Sequence, residues 1–254
     1  YWEDKVRRSI LFDAQADLLV YGMGETATRE IAARLASGTP VAEMTDIKGT
    51  CFAGRDPSAC VYPKVEVPSF EKVASDRRSY AMANKVEYEE HDPVRGRAVL
   101  QRHGDRILIV NPPAMPLTSA ELDAVAELPY VREPHPMYDS MGGVPAIEEV
   151  RFSVAHNRGC FGACNFCSLA FHQGRMITSR SHESVIREVT ALTRHPAALL
   201  PKAAEGGAVQ KPGLSGPGAL PQSGCRPYGL SHASAQAPED SGHQENFYPF
   251  WYSV

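Results

Sequence analysis

Three cysteines, Cys160, Cys164 and Cys167, fall in a C-x3-C-x2-C pattern within the run Cys160-Phe161-Gly162-Ala163-Cys164-Asn165-Phe166-Cys167. Thiolates are soft ligands that select iron–sulfur clusters, zinc or copper(I). Gly159 and Gly162 let the backbone curl cheaply, so three sulfurs can converge on one centre. A closed structural zinc site takes four ligands, and a simple electron-carrying [4Fe–4S] cluster takes four cysteines. Three thiolates on a [4Fe–4S] cube leave one iron open to a substrate or cofactor. The plainer readings are a zinc site completed by His156 or His172, or three unrelated buried thiols. Cys51 and Cys60, near Gly49, Gly54 and Pro57, read as free thiols rather than ligands, and Cys225 reads as incidental.

The elements around the cysteines set where they stand. Val150 to Ala155 alternates apolar and polar residues and predicts a strand. It leads into a long loop, His156 to Gly174. Ser181 then caps a predicted helix through about Arg194, with Val185, Ile186, Val189 and Leu192 on one side. Earlier, Ala16 to Tyr21 predicts a strand that feeds a helix carrying Ala27, Ile31, Ala32 and Leu35 through the turn Gly22-Met23-Gly24-Glu25. That turn reads as a plain strand-to-helix connection rather than a phosphate cradle. Lys5 to Phe12 predicts a short helix, and Val61 to Pro68 an edge strand or extended connection. Phe70 to Tyr88 predicts an amphipathic helix and Arg106 to Asn111 a strand. A helix capped by Thr118 or Ser119 follows and stops at Pro129. Tyr130 to Pro145 reads as a linker. The charges at Glu87, Glu89, Glu90, Arg95 and Arg97 read as a solvated face, and His156, His172 and His182 as exposed loop histidines or acid–base groups near the cysteines.

The cysteine spacing, the aromatic before the last cysteine and the strand–loop–helix context resemble the signature of the radical S-adenosylmethionine superfamily. The flanking runs narrow the resemblance to the YgiQ-type family: Glu148 to Val154, Phe171 to Arg175, Ser179 to Val185, Asp4 to Ile10 and Leu19 to Glu25. The resemblance covers roughly residues 1–195. It implies that Cys160, Cys164 and Cys167 bind a [4Fe–4S] cluster and that Phe166 lies close to the adenine of S-adenosyl-L-methionine. It implies reductive cleavage of that cofactor to a 5′-deoxyadenosyl radical, with a flavodoxin, ferredoxin or similar reductase as electron donor and an unassigned substrate. The fold it implies is α/β. A partial cobalamin-binding-like, Rossmann-type domain leads into the start of a radical SAM β/α (partial TIM) barrel. The expected segments are 1–40, the C-terminal part of the cobalamin-like domain; 41–145, a connecting region; and 146–195, the start of the barrel with the cluster loop. Cobalamin binding is not carried over, because the histidine motif that would ligate cobalt is absent.

Residues 196–254 are about one quarter proline and glycine, with no apolar period, and are expected to be a disordered tail. They offer no further βα units and no glycine-rich strand end for the cofactor, so whether this chain is itself an enzyme stays open. A non-catalytic zinc or iron–sulfur module and an inactive truncated remnant of the family stand as alternatives. The chain begins at Tyr1 rather than Met and is expected to be a piece of a longer protein. Its 254 residues, 43% hydrophobic, are enough for a core without disulfides. A net charge of −4 argues against a dedicated nucleic-acid binder. No apolar run is long enough for a membrane helix, and no leader opens the chain. Iron–sulfur chemistry places the protein in the reducing cytoplasm.

Overall fold

A computed structural model describes residues 5–162, 164 and 166–195 of the chain. In chain order its elements are α1 (Ile10–Asp13), β1 (Leu18–Val20), α2 (Glu25–Ala36), β2 (Thr50–Gly54), β3 (Lys64–Val67), α3 (Phe70–Ser75), α4 (Arg77–Glu90), β4 (Ala98–His103), β5 (Arg106–Val110), α5 (Ser119–Ala126), α6 (Ile147–Val150), β6 (Asn157–Arg158), α7 (Leu169–Gln173), β7 (Thr178–Ser179) and α8 (His182–Thr193). The expected disordered tail lies outside the described residues, as does Cys225.

The first five strands form one mixed sheet in the order β1-β2-β5-β4-β3. Only β3 and β4 run parallel, joined by a crossover through α3 and α4, while the other neighbours are antiparallel. The β4–β5 hairpin closes on Gly104-Asp105, and Gly104 takes the left-handed φ of 61° that primed hairpin turns require. Pleating sorts the side chains to two faces. Phe52, Leu100 and Ile109 lie in register across three strands, and with Cys60, Ala98 and Ile107 they form one buried cluster. On the other face Val67 and Val99 pack against Val73 and Ala83 of α3 and α4. The α/β class expected from the sequence is what the chain adopts.

The long helix predicted over Phe70 to Tyr88 is two helices. Asp76 takes an extended conformation between them and caps α4, accepting from the Arg78 and Ser79 N–H groups. Thr118 caps α5 through a reciprocal box with Glu121, and Ser181 caps α8.

The strand predicted over Val150 to Ala155 does not form. Helix α6 ends at Val150, a turn follows, and the next carbonyls find arginines instead of a neighbouring strand. Arg132 Nη1 donates to the Arg151 and Ser153 carbonyls (3.0 and 3.4 Å), and Arg180 Nη1 donates to the Ala155 carbonyl (3.1 Å). Both guanidiniums also pair with Glu188 of α8. Arg180 is buried, and its other nitrogens donate to Ser184 Oγ. Arg132 reaches this place from a left-handed backbone, φ 57°, which is uncommon and costly for a residue with a Cβ. The carbonyls of Arg151, Ser153 and Ala155 are thus satisfied by two side chains in place of a ladder.

Removing Glu188 takes away the carboxylate that both guanidiniums pair with. Glu188→Ala is therefore expected to lower stability in urea unfolding by about 3 kcal/mol, the size typical of breaking a buried pair. Glu127→Ala, which opens the exposed pair with Arg187, is expected to cost far less.

Candidate functional site

The cysteine loop is pinched at its neck. Strands β6 and β7 form a two-pair hairpin, Asn157 with Ser179 and Arg158 with Thr178. Gly159 follows with φ 90°, and a Cβ there would stand 2.2 Å from the Met176 carbonyl oxygen, so no side chain fits. The Gly159 N–H donates to Gln173 Oε1 (3.1 Å) and the Cys160 N–H to the Gly174 carbonyl (3.0 Å), which ties the start of the loop to its end. Cys160 is half-buried at this neck, while Cys164 and Cys167 are exposed, and all three are free thiols. The Cys167 N–H donates to the Cys164 carbonyl (3.1 Å). Phe161 and Phe166 are 83% and 79% exposed.

Gly162 bears on what the loop can hold. A Cβ built on it would lie 3.4 Å from Cys160 Sγ and 3.8 Å from Cys164 Sγ, so two of the three sulfurs lie over one glycine, in space a side chain would fill. That arrangement and the all-thiolate donor set fit a soft multi-iron group. Among the described residues no three His, Cys, Asp or Glu side chains close on a single ion. His172, one of the histidines considered as a fourth ligand, is exposed and lines a cavity described below.

The loop is clamped to the sheet. Arg158 pairs with Glu25, the first residue of α2. The Phe171 ring of α7 lies 5.7 Å from Tyr88 and 5.5 Å from His91, at the end of α4. The Arg175 guanidinium stacks 3.9 Å over the Tyr88 ring and donates to the Tyr88 carbonyl (2.8 Å). The Gly22 turn closes the same seam, with the His172 carbonyl 3.6 Å from where its Cβ would be. A Cβ on Gly24 would come within 2.8 Å of Val20 Cγ1, which is the close strand–helix packing a glycine permits.

Between sheet and loop lies a cavity of about 280 Å³, bounded by Tyr21, by residues of the 91–95 and 113–116 loops and by 171–176. Behind it a smaller cavity of about 20 Å³ shares the Tyr21, His91 and Pro113 walls and adds Glu87, Glu90, Arg97 and Asn111. The charges read as a solvated face therefore divide. Glu89 and Arg95 are exposed, but Glu90 is only 8% exposed and is paired with Arg97, which holds its carboxyl below the ordinary range. Glu87 has no hydrogen-bond or ion-pair partner among the described residues, and burial pushes its carboxyl up to about 8. Burial, aided by Arg175, pushes His91 down to about 4, so its ring is neutral at pH 7. Tyr21 and Cys51 are likewise raised by burial. Tyr21 donates its hydroxyl proton to the Asn111 carbonyl (2.5 Å), and the Asn111 Oδ1 is buried without a hydrogen-bond partner among the described residues. Cys51 and Cys60 are free and buried. The sequence did hold a signal for the buried Glu90 and the half-buried Glu87, because Ala83, Glu87, Glu90 and His91 recur at the spacing of one helix face.

The described residues thus form a mixed α/β sheet region with a three-cysteine loop docked beside it. The chain belongs to the Radical SAM N-terminal family, which matches residues 1–153. It is 50% identical over 196 residues to a UPF0313 protein of Methanocella arvoryzae, covering 77% of this chain and 32% of that protein. Similar proteins of the same name occur in Clostridium botulinum (46% over 193 residues, 76% and 30% covered) and Clostridium perfringens (46% over 195 residues, 77% and 30% covered). The chain spans about a third of the length of these curated relatives. Any stretch of 196 residues within 254 includes residues 160–167, so the cysteine loop lies inside the Methanocella alignment. No solved structure matches the chain.

The pH dependence of Glu87 has a definite sign. Its folded-state value lies above the unfolded one, so between pH 4.5 and about 8 the folded chain binds the extra proton and stability falls as pH rises. Glu87→Gln is expected to raise the melting temperature by several degrees at pH 9, and the gain should vanish towards pH 4. A gain that stays constant across this range would show that Glu87 does not titrate as its burial demands.

Proposed function

We propose that this chain is part of a radical SAM protein in which Cys160, Cys164 and Cys167 hold a [4Fe–4S] cluster whose fourth iron takes S-adenosyl-L-methionine. The observation that carries the reading is a C-x3-C-x2-C set of free thiols on a loop pinched at Gly159 and Gly174, in a chain of the Radical SAM N-terminal family. Bound there and reduced by one electron, the group supplies cleavage of the sulfonium C–S bond to methionine and a 5′-deoxyadenosyl radical.

The chain's own residues position and protect. Cys160 is fixed by its backbone bond to Gly174, and Gly162 leaves room beside the Cys160 and Cys164 sulfurs. Phe166 offers a flat apolar face to the adenine. The Tyr88, His91 and Phe171 contacts keep the loop against the sheet. We assign residues 1–40 to the end of a cobalamin-like domain, 41–145 to a connecting region and 146–195 to the start of the barrel. The electron comes from a flavodoxin- or ferredoxin-type donor, and a reducing cytoplasm keeps the thiols unpaired. Among the described residues no helix is long and apolar enough to cross a membrane.

Anaerobic incubation with iron and sulfide is expected to give a brown protein whose reduced form has a [4Fe–4S] paramagnetic resonance signal that shifts when S-adenosylmethionine is added. Cys164→Ala is expected to abolish the chromophore. A colourless protein that takes up zinc instead would overturn the reading, and a cluster signal indifferent to S-adenosylmethionine would remove the open iron from it.

A further inference from the structure

The cavity between sheet and loop is built of contrasting walls. Pro93, Pro113, Ala114 and Pro116 supply rigid apolar surface on the sheet side, and Phe171 supplies a ring on the loop side. Two guanidiniums, Arg95 and Arg175, stand at the same cavity. Arg175 is committed to Tyr88 by stacking and by its hydrogen bond to the Tyr88 carbonyl. The Arg95 guanidinium has no hydrogen-bond or ion-pair partner among the described residues. The backbone N–H groups of Arg95 and Val94 donate to Asp92 Oδ1 (3.1 and 2.8 Å), which fixes the loop carrying the guanidinium.

The charge balance narrows the ligand. Against the two guanidiniums stands one carboxylate, Asp92, held ionised by those backbone donors. His91, at the back wall, is uncharged near neutrality. The wall is therefore about one charge positive, which suits a monoanion and disfavours a dianion facing Asp92. A planar guanidinium matches a carboxylate with two parallel bonds. The apolar walls accept a compact apolar body of the size that a few hundred Å³ holds, and Phe171 gives an aromatic one a ring to pack against.

We infer that this cavity binds a small aromatic or similarly flat monocarboxylate, its body against Pro113 and Phe171 and its carboxylate on Arg95. Because residues 171–176 of the cavity wall close the cysteine loop, a ligand there lies beside the proposed cluster site. That the ligand is the reaction's substrate rests on the radical reading. That the cavity binds it does not.

The test titrates the cluster-free 254-residue chain with phenylacetate, followed by ligand-observed NMR, with phenylacetamide and phenyl phosphate run alongside. Phenylacetate is expected to bind saturably, and both the neutral amide and the dianionic ester more weakly. Arg95→Ala is expected to weaken phenylacetate about tenfold, the scale of one lost charge-assisted contact. Arg95→Lys should recover part of it, and Arg95→Glu should abolish it with a cooperative melting curve retained, because the guanidinium makes no hydrogen bond or ion pair among the described residues and acts only as a charge near Asp92. Absence of saturable binding, equal affinity for the amide, preference for phenyl phosphate, or indifference to Arg95→Glu would each overturn the inference. No cluster is needed for this titration, so its failure and a failure of cluster assembly are separate results.

Discussion

The Phe171 ring contacts those of Tyr88 and His91, and through that contact a loop with little packing of its own is held against a sheet that has a core. The loop has an open side, since Cys164, Cys167, Phe161 and Phe166 are all exposed. Its neck, by contrast, is fixed three ways: by Gly159 against Met176, by Cys160 to Gly174, and by Arg158 to Glu25. A ligand set must be held within a fraction of an ångström by groups that are themselves locked. Here the neck is locked partly from within, by Gly159, Cys160, Gly174 and Met176, and partly from the sheet region, by Glu25 of α2 and Tyr88 of α4.

The same seam explains why polar residues are tolerated where hydrophobic ones would be more stable. Burying an ionisable carboxyl without a partner is costly, and Glu87 answers by staying protonated at neutral pH. The sheet can carry that cost because its two faces bury Phe52, Leu100, Ile107 and Ile109 on one side and Val67, Val73, Ala83 and Val99 on the other. Glu87 shares a small cavity with Tyr21 and His91, which also line the larger one. Groups pushed far from their ordinary titration range, next to a cavity, are a recurrent mark of functional sites. In the proposed reading this places a neutral acid one layer behind the ligand, where it adds no charge to the walls that Arg95 and Asp92 set.

What the sequence made legible follows from what each element has to satisfy. β1, α2, β5, α5 and α8 carry clear periods and caps, and they form where the pattern puts them. β2 and β4 escaped because neither carries an alternating pattern. Four consecutive residues of β4, Ala98 to Gln101, are buried, so no alternation marks it, and Cys51-Phe52 sits among glycines that read as a loop. The pattern over Val150 to Ala155 is that of a strand, yet pairing needs a neighbour, and Arg132 and Arg180 take that place. Those arginines are distant in sequence and carry no periodic signal. The cysteine spacing was fully visible, since it is local. The cavity was not, because its walls come from four separated segments that meet only when α7 docks on α4.

The exposed rings in the loop complete the physical picture. Fully burying a phenylalanine side chain is worth about 1.5–3 kcal/mol, and the described residues forgo this at both Phe161 and Phe166. A loop selected only to pack would not place two such rings beside two exposed thiols. Rings left out of the core are instead available to a flat ligand, at no loss to a neck whose stability comes from backbone bonds and from the contact with the sheet. The division is consistent with the proposed role: the half-buried Cys160 anchors one end of the ligand set, and the open side leaves Cys164, Cys167 and Phe166 free to close around what is bound.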